Sequence, residues 1–159
     1  MSQRVTLDYI ATQAAQRMAE VIGSEIQNHK KVEARDLETL VTKALGVLQN
    51  QGVYAMALFL FSRSGSGKQA TDMKAEERVA TALLSWLWLL RNPQQALAQV
   101  QNNEQLQTDI SFDRVNSKKK QMLQEFADLS RDLDTLLLVR DLYEQTLIYA
   151  RYHAKALGG

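Results

Sequence analysis

The chain has no cysteine, a single proline, two histidines and seven glycines, and each scarcity removes a class of chemistry or architecture. Without cysteine there is no disulfide framework and no thiolate nucleophile. His29 and His153 stand far apart in sequence, so no spacing of the kind that seeds a histidine metal site exists, and no metal or cofactor is expected. No apolar run approaches the roughly 20 residues needed to span a bilayer; stretches such as LLSWLWLL at 83–90 are far shorter. The opening MSQRVTLDYI lacks the basic-then-apolar order of a secretory leader. These absences lead to the expectation of a cytoplasmic protein with no membrane partner and no small-molecule substrate. The shortage of proline and glycine also favours long, uninterrupted helices.

What is present fits one domain over residues 1–159. The length allows a sizeable core, and a hydrophobic share of 45% is ordinary for a globular chain. Net charge is only +1, but the charges are segregated. No acid occurs from Thr39 to Thr71, where Lys43, Arg63 and Lys68 lie, nor from Gln145 to the end, where Arg151 and Lys155 lie. Segregation of this kind gives a nearly neutral chain one positive face; chance clustering is the plain alternative.

Apolar periodicity predicts an all-α bundle of about five to seven helices. Leu7, Ile10, Ala11, Ala14, Met18, Val21 and Ile22 recur at three- and four-residue steps, and Leu37, Leu40, Val41, Ala44, Leu45 and Leu48 form a second stripe. The second helix should end at Asn50-Gln51-Gly52. VYAMALFLF at 53–61 is apolar on every side and suits a buried strand or a short buried helix; helix is favoured because no partner strand is visible. After the loop SRSGSGKQAT, Asp72 is placed to cap a helix whose first turn holds Glu76 and Glu77 and which runs to Leu90. Asn92-Pro93 should then open a short helix. Residues 99–118 are polar and aperiodic, a loop or insertion. From Met122 to Ala154 the stripe resumes as one long C-terminal helix, or two with a break near Ser130 to Asp134. Arg140 interrupts it and is expected to pair with Glu144 one turn later.

Several stretches imitate chemistry. SRSGSGKQAT resembles a nucleotide-phosphate loop, which requires glycine, four residues, and Gly-Lys-Ser/Thr. Ser62 occupies the first glycine position and Gln69 the hydroxyl position that would hold magnesium, so the segment is better explained as a basic linker. Asp132 and Asp134, two apart on a helix, point away from each other, and no Ser/His/Asp set stands out. The chain is therefore not expected to be an enzyme. Lys118-Lys119-Lys120 opens a helix at its positive dipole end, either a solvated edge or a phosphate contact. Tyr143, Tyr149 and Tyr152 beside Arg151 and His153 suit unpaired bases, or rim packing.

One longer segment is more specific. LVTKALGVLQNQGVYAMALFLFSRSG carries an apolar helix, a Gln51-Gly52-Val53 turn preceded by Asn50, and an apolar helix closing on Phe59-Leu60-Phe61-Ser62-Arg63. With IATQAAQRMAEVI before it and LLSWLWLL and LYEQTLIYARYHAKAL after it, the order resembles the small all-helical subunit of type III-B CRISPR effector complexes, the Cmr module. Tyr149 stands where that family has a tryptophan, and segment 99–134 is longer than the family's, so the type III subtype stays open. The resemblance implies a non-catalytic subunit that stacks in several copies beside other subunits of the complex and contacts the backbone of target RNA or the guide–target duplex. Arg63 takes the family's Lys/Arg position, and Arg151 lies in the basic, aromatic last helix. Lys43, Lys68 and Lys155 join them as candidate RNA contacts on charge distribution alone. The competing expectation is a helical protein–protein adaptor that does not touch RNA.

Overall fold

In the computed structural model, residues 6–23, 31–65, 73–102, 115 and 117–158 are described. Among them there are seven α-helices and no strand: α1 (Leu7–Ala19), α2 (Ala34–Gln51), α3 (Val53–Arg63), α4 (Ala75–Leu90), α5 (Pro93–Gln101), α6 (Lys119–Asp128) and α7 (Leu133–Ala156). The VYAMALFLF segment is α3, as expected. Lys68 and Asp72, and most of the expected loop at 99–118, lie outside the described residues; the part described shows α5 continuing to Gln101.

Local chemistry accounts for the boundaries. Thr6 Oγ1 accepts from the Tyr9 amide at 3.1 Å to start α1. Although the apolar stripe continues to Ile22, α1 ends at Ala19. The next amides tighten to i−3 carbonyls (Val21 to Met18, Ile22 to Ala19), and Gly23 turns away to donate to the Val32 carbonyl at 2.7 Å. At the start of α2, Asp36 accepts from the Glu33 amide at 2.8 Å. Gly52, with φ +97° and ψ −175°, both closes α2 and opens α3, a conformation essentially confined to glycine. The backbone amide of Lys74 donates to Glu77 at 3.2 Å where α4 begins. Asn92 accepts from the Gln95 amide and Pro93 fills the first helical position of α5. A 3₁₀ turn at Leu129–Arg131 separates α6 from α7, and Asp132 caps α7 by accepting from the Asp134 amide and the Thr135 hydroxyl. The break near Ser130 to Asp134 is thus real.

The 24 residues of α7 make a rod about 36 Å long, against which α1 and α2 pack most extensively. Asp8 of α1 meets Tyr149, and Ile22 and Gly23 lie by Leu157, so α1 runs parallel to α7. Gln49 of α2 meets Arg140 and Glu144, whereas Arg35 lies by Leu157, so α2 runs antiparallel. Ala11, Ala14 and Ala15 of α1, Ala44 of α2, and Ala150 and Ala154 of α7 are all fully buried; such short side chains let helix axes approach closely. Burial surrounds α4 on nearly all sides, and each of Val79, Leu83, Leu84, Leu87 and Leu90 is removed completely from solvent, worth roughly 1.5–3 kcal/mol apiece.

Polar contacts also tie the helices together. The Tyr143 hydroxyl, fully buried, donates at 2.5 Å to the carbonyl of Leu87 in the last turn of α4, while its ring meets Phe126 edge-on at 6.5 Å. Burial holds the Tyr143 phenol well above its usual range, and nearby Arg91 only partly opposes this. Arg140 corrects the expectation of an i,i+4 pair with Glu144. It donates instead to the backbone carbonyl of Gln49 at 3.0 Å, while Glu144 accepts from the Gln49 side chain at 3.3 Å. That carbonyl belongs to the last turn of α2, where intrahelical partners run out, so the cation serves as a C-terminal cap supplied by another helix.

Candidate nucleic-acid interface

The antiparallel seam of α2 and α7 opens outward as a groove of about 460 Å³, lined by Arg35, Glu38, Thr39, Thr42, Lys43 and Arg151. On α2 these residues recur at the three- and four-residue steps of one helical face, the face turned away from the buried Leu37, Leu40, Val41, Ala44 stripe. Arg151 reaches the groove from α7 because it flanks the buried Leu147–Ala150–Ala154 stripe on the α2 side, as Arg140 and Glu144 do. Lys155 lies one turn beyond Arg151 and is exposed. Tyr152, 65% exposed, lies on the same helix end but outside the groove lining.

Charge in this groove is not consumed internally. Among the described residues, none of Arg35, Lys43, Arg151 or Lys155 forms an ion pair, although Glu38 lines the same groove. The Arg151 Nε is buried without an acceptor. The threonine hydroxyls are partly committed: Thr42 donates to the Glu38 carbonyl at 2.8 Å, leaving its oxygen as the outward group. Three cations, two hydroxyls and one carboxylate form a shallow, net positive channel suited to a chain of phosphates rather than to an enclosed ligand.

The five residues singled out in the sequence divide. Lys43 and Arg151, distant in sequence, meet in this groove, with Lys155 adjoining. Arg63 has other partners: it pairs with Glu76 at 3.2 Å and its guanidinium lies 5.3 Å over the Phe59 ring, joining the end of α3 to the start of α4. Lys68 is outside the described residues. Sequence reasoning passed over Arg35, because Glu33, Asp36 and Glu38 make its neighbourhood read as acidic. Helical spacing from Lys43 was the signal that could have found it.

Nothing described supports a nucleotide-phosphate loop. Its would-be strand is helix α3. A carboxylate oxygen of Glu77 occupies the space where a side chain on Gly65 (φ +69°) would begin, so the chain just after α3 lies beside a negative charge. Among the described residues no group of three or more His, Cys, Asp or Glu side chains is placed to hold a metal ion, and no helix is long and apolar enough to cross a membrane. Comparison with protein-family models, curated proteins and solved structures finds no match to this chain.

Proposed function

We propose that this chain is a non-catalytic small subunit of a type III RNA-guided effector complex, present in several copies and contacting the backbone of target RNA or of the guide–target duplex through the α2–α7 groove. The observation that carries the proposal is the set of unpaired cations there. Arg35, Lys43 and Arg151 converge on one channel without internal carboxylate partners, and an exposed tyrosine, Tyr152, is on the same helix end as Arg151. The helical order around Gly52 that resembles the Cmr small subunit agrees with it. Base pairing reads sequence in such complexes, so the protein need supply only phosphate and shape contacts. A few cations per copy suffice when neighbouring copies act on one strand.

The test is fluorescence anisotropy of a labelled single-stranded RNA against the purified chain at low ionic strength. Binding should be weak, fall steeply with added salt, and weaken at least tenfold in K43E/R151E, while R63E has a smaller effect because Arg63 is already paired. Binding that ignores salt, or is unchanged in K43E/R151E with helicity intact, refutes the proposal and favours the adaptor reading.

A further inference from the structure

At the other end of α7 the surface has the opposite character. A cleft of about 500 Å³ lies between the start of α5, the end of α6 and the first turns of α7, with Pro93, Leu129 and Leu138 as apolar lining and Glu125, Asp128 and Asp132 as acids. A second, of about 210 Å³, continues past Leu138 towards the start of α1, flanked by Asp8 and Asp141. Leu138 is common to both and 42% exposed, and Leu133 and Leu137 of the same turns are 66% and 48% exposed. Three leucines left in water within two turns of a helix otherwise well packed are unusual. Scattered exposed leucines need no explanation, but Leu138 is partly exposed where two carboxylate-edged clefts adjoin, with Leu133 and Leu137 on neighbouring faces of the same turns.

The balance of charge decides what the surface suits. Among the described residues Arg91 is the one cation lining either cleft, and it is committed: its Nε pairs with Glu125 at 3.2 Å and its guanidinium lies 3.8 Å over Trp88, whose indole N–H also donates to Glu125. Asp128 accepts from the Gln124 side-chain amide at 3.0 Å and has the largely exposed Arg131 at 3.5 Å. Asp132 is held below the usual carboxylate range by the Thr135 hydrogen bond, and Asp141 is exposed. A hydrophobic seat with ionised carboxylates along both sides complements an aliphatic side chain flanked by lysine or arginine.

We propose that Leu138 and the two clefts it borders form a docking surface for a basic, leucine-bearing helical segment of a different protein. A second copy of this chain fits less well through its own cationic groove, because that groove is lined by threonines and charges and offers no aliphatic side chain to the leucines. The inference is independent of RNA binding, which uses the opposite end of α7.

The experiment titrates the full chain with a fluorescein-labelled amphipathic 18-residue leucine–lysine peptide. Two controls accompany it, one with glutamate in place of lysine and one with serine in place of leucine. The leucine–lysine peptide should bind, both controls should bind at least tenfold more weakly, and L138E should cut affinity at least tenfold, D141K severalfold. Circular dichroism should show both variants folded, since both side chains are exposed. Equal binding by the serine control would mean charge alone is read, and retention by L138E would place the peptide elsewhere; either overturns the proposal. Self-association in sedimentation that L138E abolishes would make a second copy the occupant and overturn it too. K43E/R151E should leave peptide binding unchanged, which separates this surface from the RNA groove.

Discussion

Replacing Tyr143 by phenylalanine isolates one oxygen in the middle of the bundle. In the last turn of α4 the Arg91 amide turns to the Trp88 and Leu89 carbonyls, so the Leu87 carbonyl depends on the Tyr143 hydroxyl. Both residues are fully buried, and water cannot take over. The phenyl ring would keep its edge contact with Phe126, and no cavity larger than a hydroxyl would open. The loss is therefore one net hydrogen bond, about 0.5–1.5 kcal/mol, rising towards about 3 kcal/mol if the carbonyl is left wholly unsatisfied. For a domain of this size each kcal/mol moves the melting midpoint by about 2–4 °C, so Y143F should melt roughly 1–12 °C lower. Thermal melts at neutral pH, with urea titrations showing an unchanged m-value, measure it. Y149F is the control: that hydroxyl also donates at 2.6 Å, to Asp8, but in an exposed position, and its loss should cost far less. Equal shifts in the two variants would refute the idea that Tyr143 completes the end of α4.

Other expectations follow from the same coordinates. G52A should destabilise by about 1–3 kcal/mol through backbone strain alone, because open space surrounds the missing Cβ. G46A, inside α2 with equally open space, should stabilise by about 0.5–1 kcal/mol; chemical denaturation of both checks the pair. If three groove cations each meet a phosphate, log affinity for single-stranded RNA should fall against log salt with a slope near −2. Neutralising Lys43 and Arg151 as glutamines should remove about 1.4 of that, at about 0.7 per contact. The Tyr149 phenol is raised, first by its hydrogen bond to Asp8. A raised phenol favours folding below the unfolded value and loses that contribution as pH climbs through the folded one. Wild type should therefore lose stability relative to Y149F above about pH 10, measured by urea midpoints across that range. Asp132 works the other way. Its lowered carboxyl supports the start of α7 above the unfolded value, and that support disappears as pH falls through the depressed one, so D132N should show a flatter acid limb.

Helix positions were legible because they depend on local patterns. The Leu37-to-Leu48 stripe marked α2 and Asn92-Pro93 the start of α5, while the break near Ser130 to Asp134 was one of two readings of the last stripe. Contacts set by how helices cross were not. Arg140 looked like a partner for Glu144 because only the spacing within its own helix is visible in sequence, whereas its acceptor is a carbonyl at the end of α2. The Trp88–Glu125–Arg91 cluster joins residues whose proximity comes from the α4–α6 packing. Of the candidate site, Lys43 and Arg151 could be suspected from acid-free stretches, but that they share a groove follows from the antiparallel pairing of α2 with α7. Arg35 was hidden by its acidic neighbours, and the pairing of Arg63 with Glu76 required the fold.

The unbroken length of α7 has a metric consequence. Leu138 and Arg151 are held about 20 Å apart along one hydrogen-bonded axis, with no joint between them to take up slack. Anything grasped at the leucine end is thereby set at a fixed offset and rotation from anything grasped at the arginine end. Adding one residue between them would turn the two grips about 100° out of alignment while hardly changing their separation.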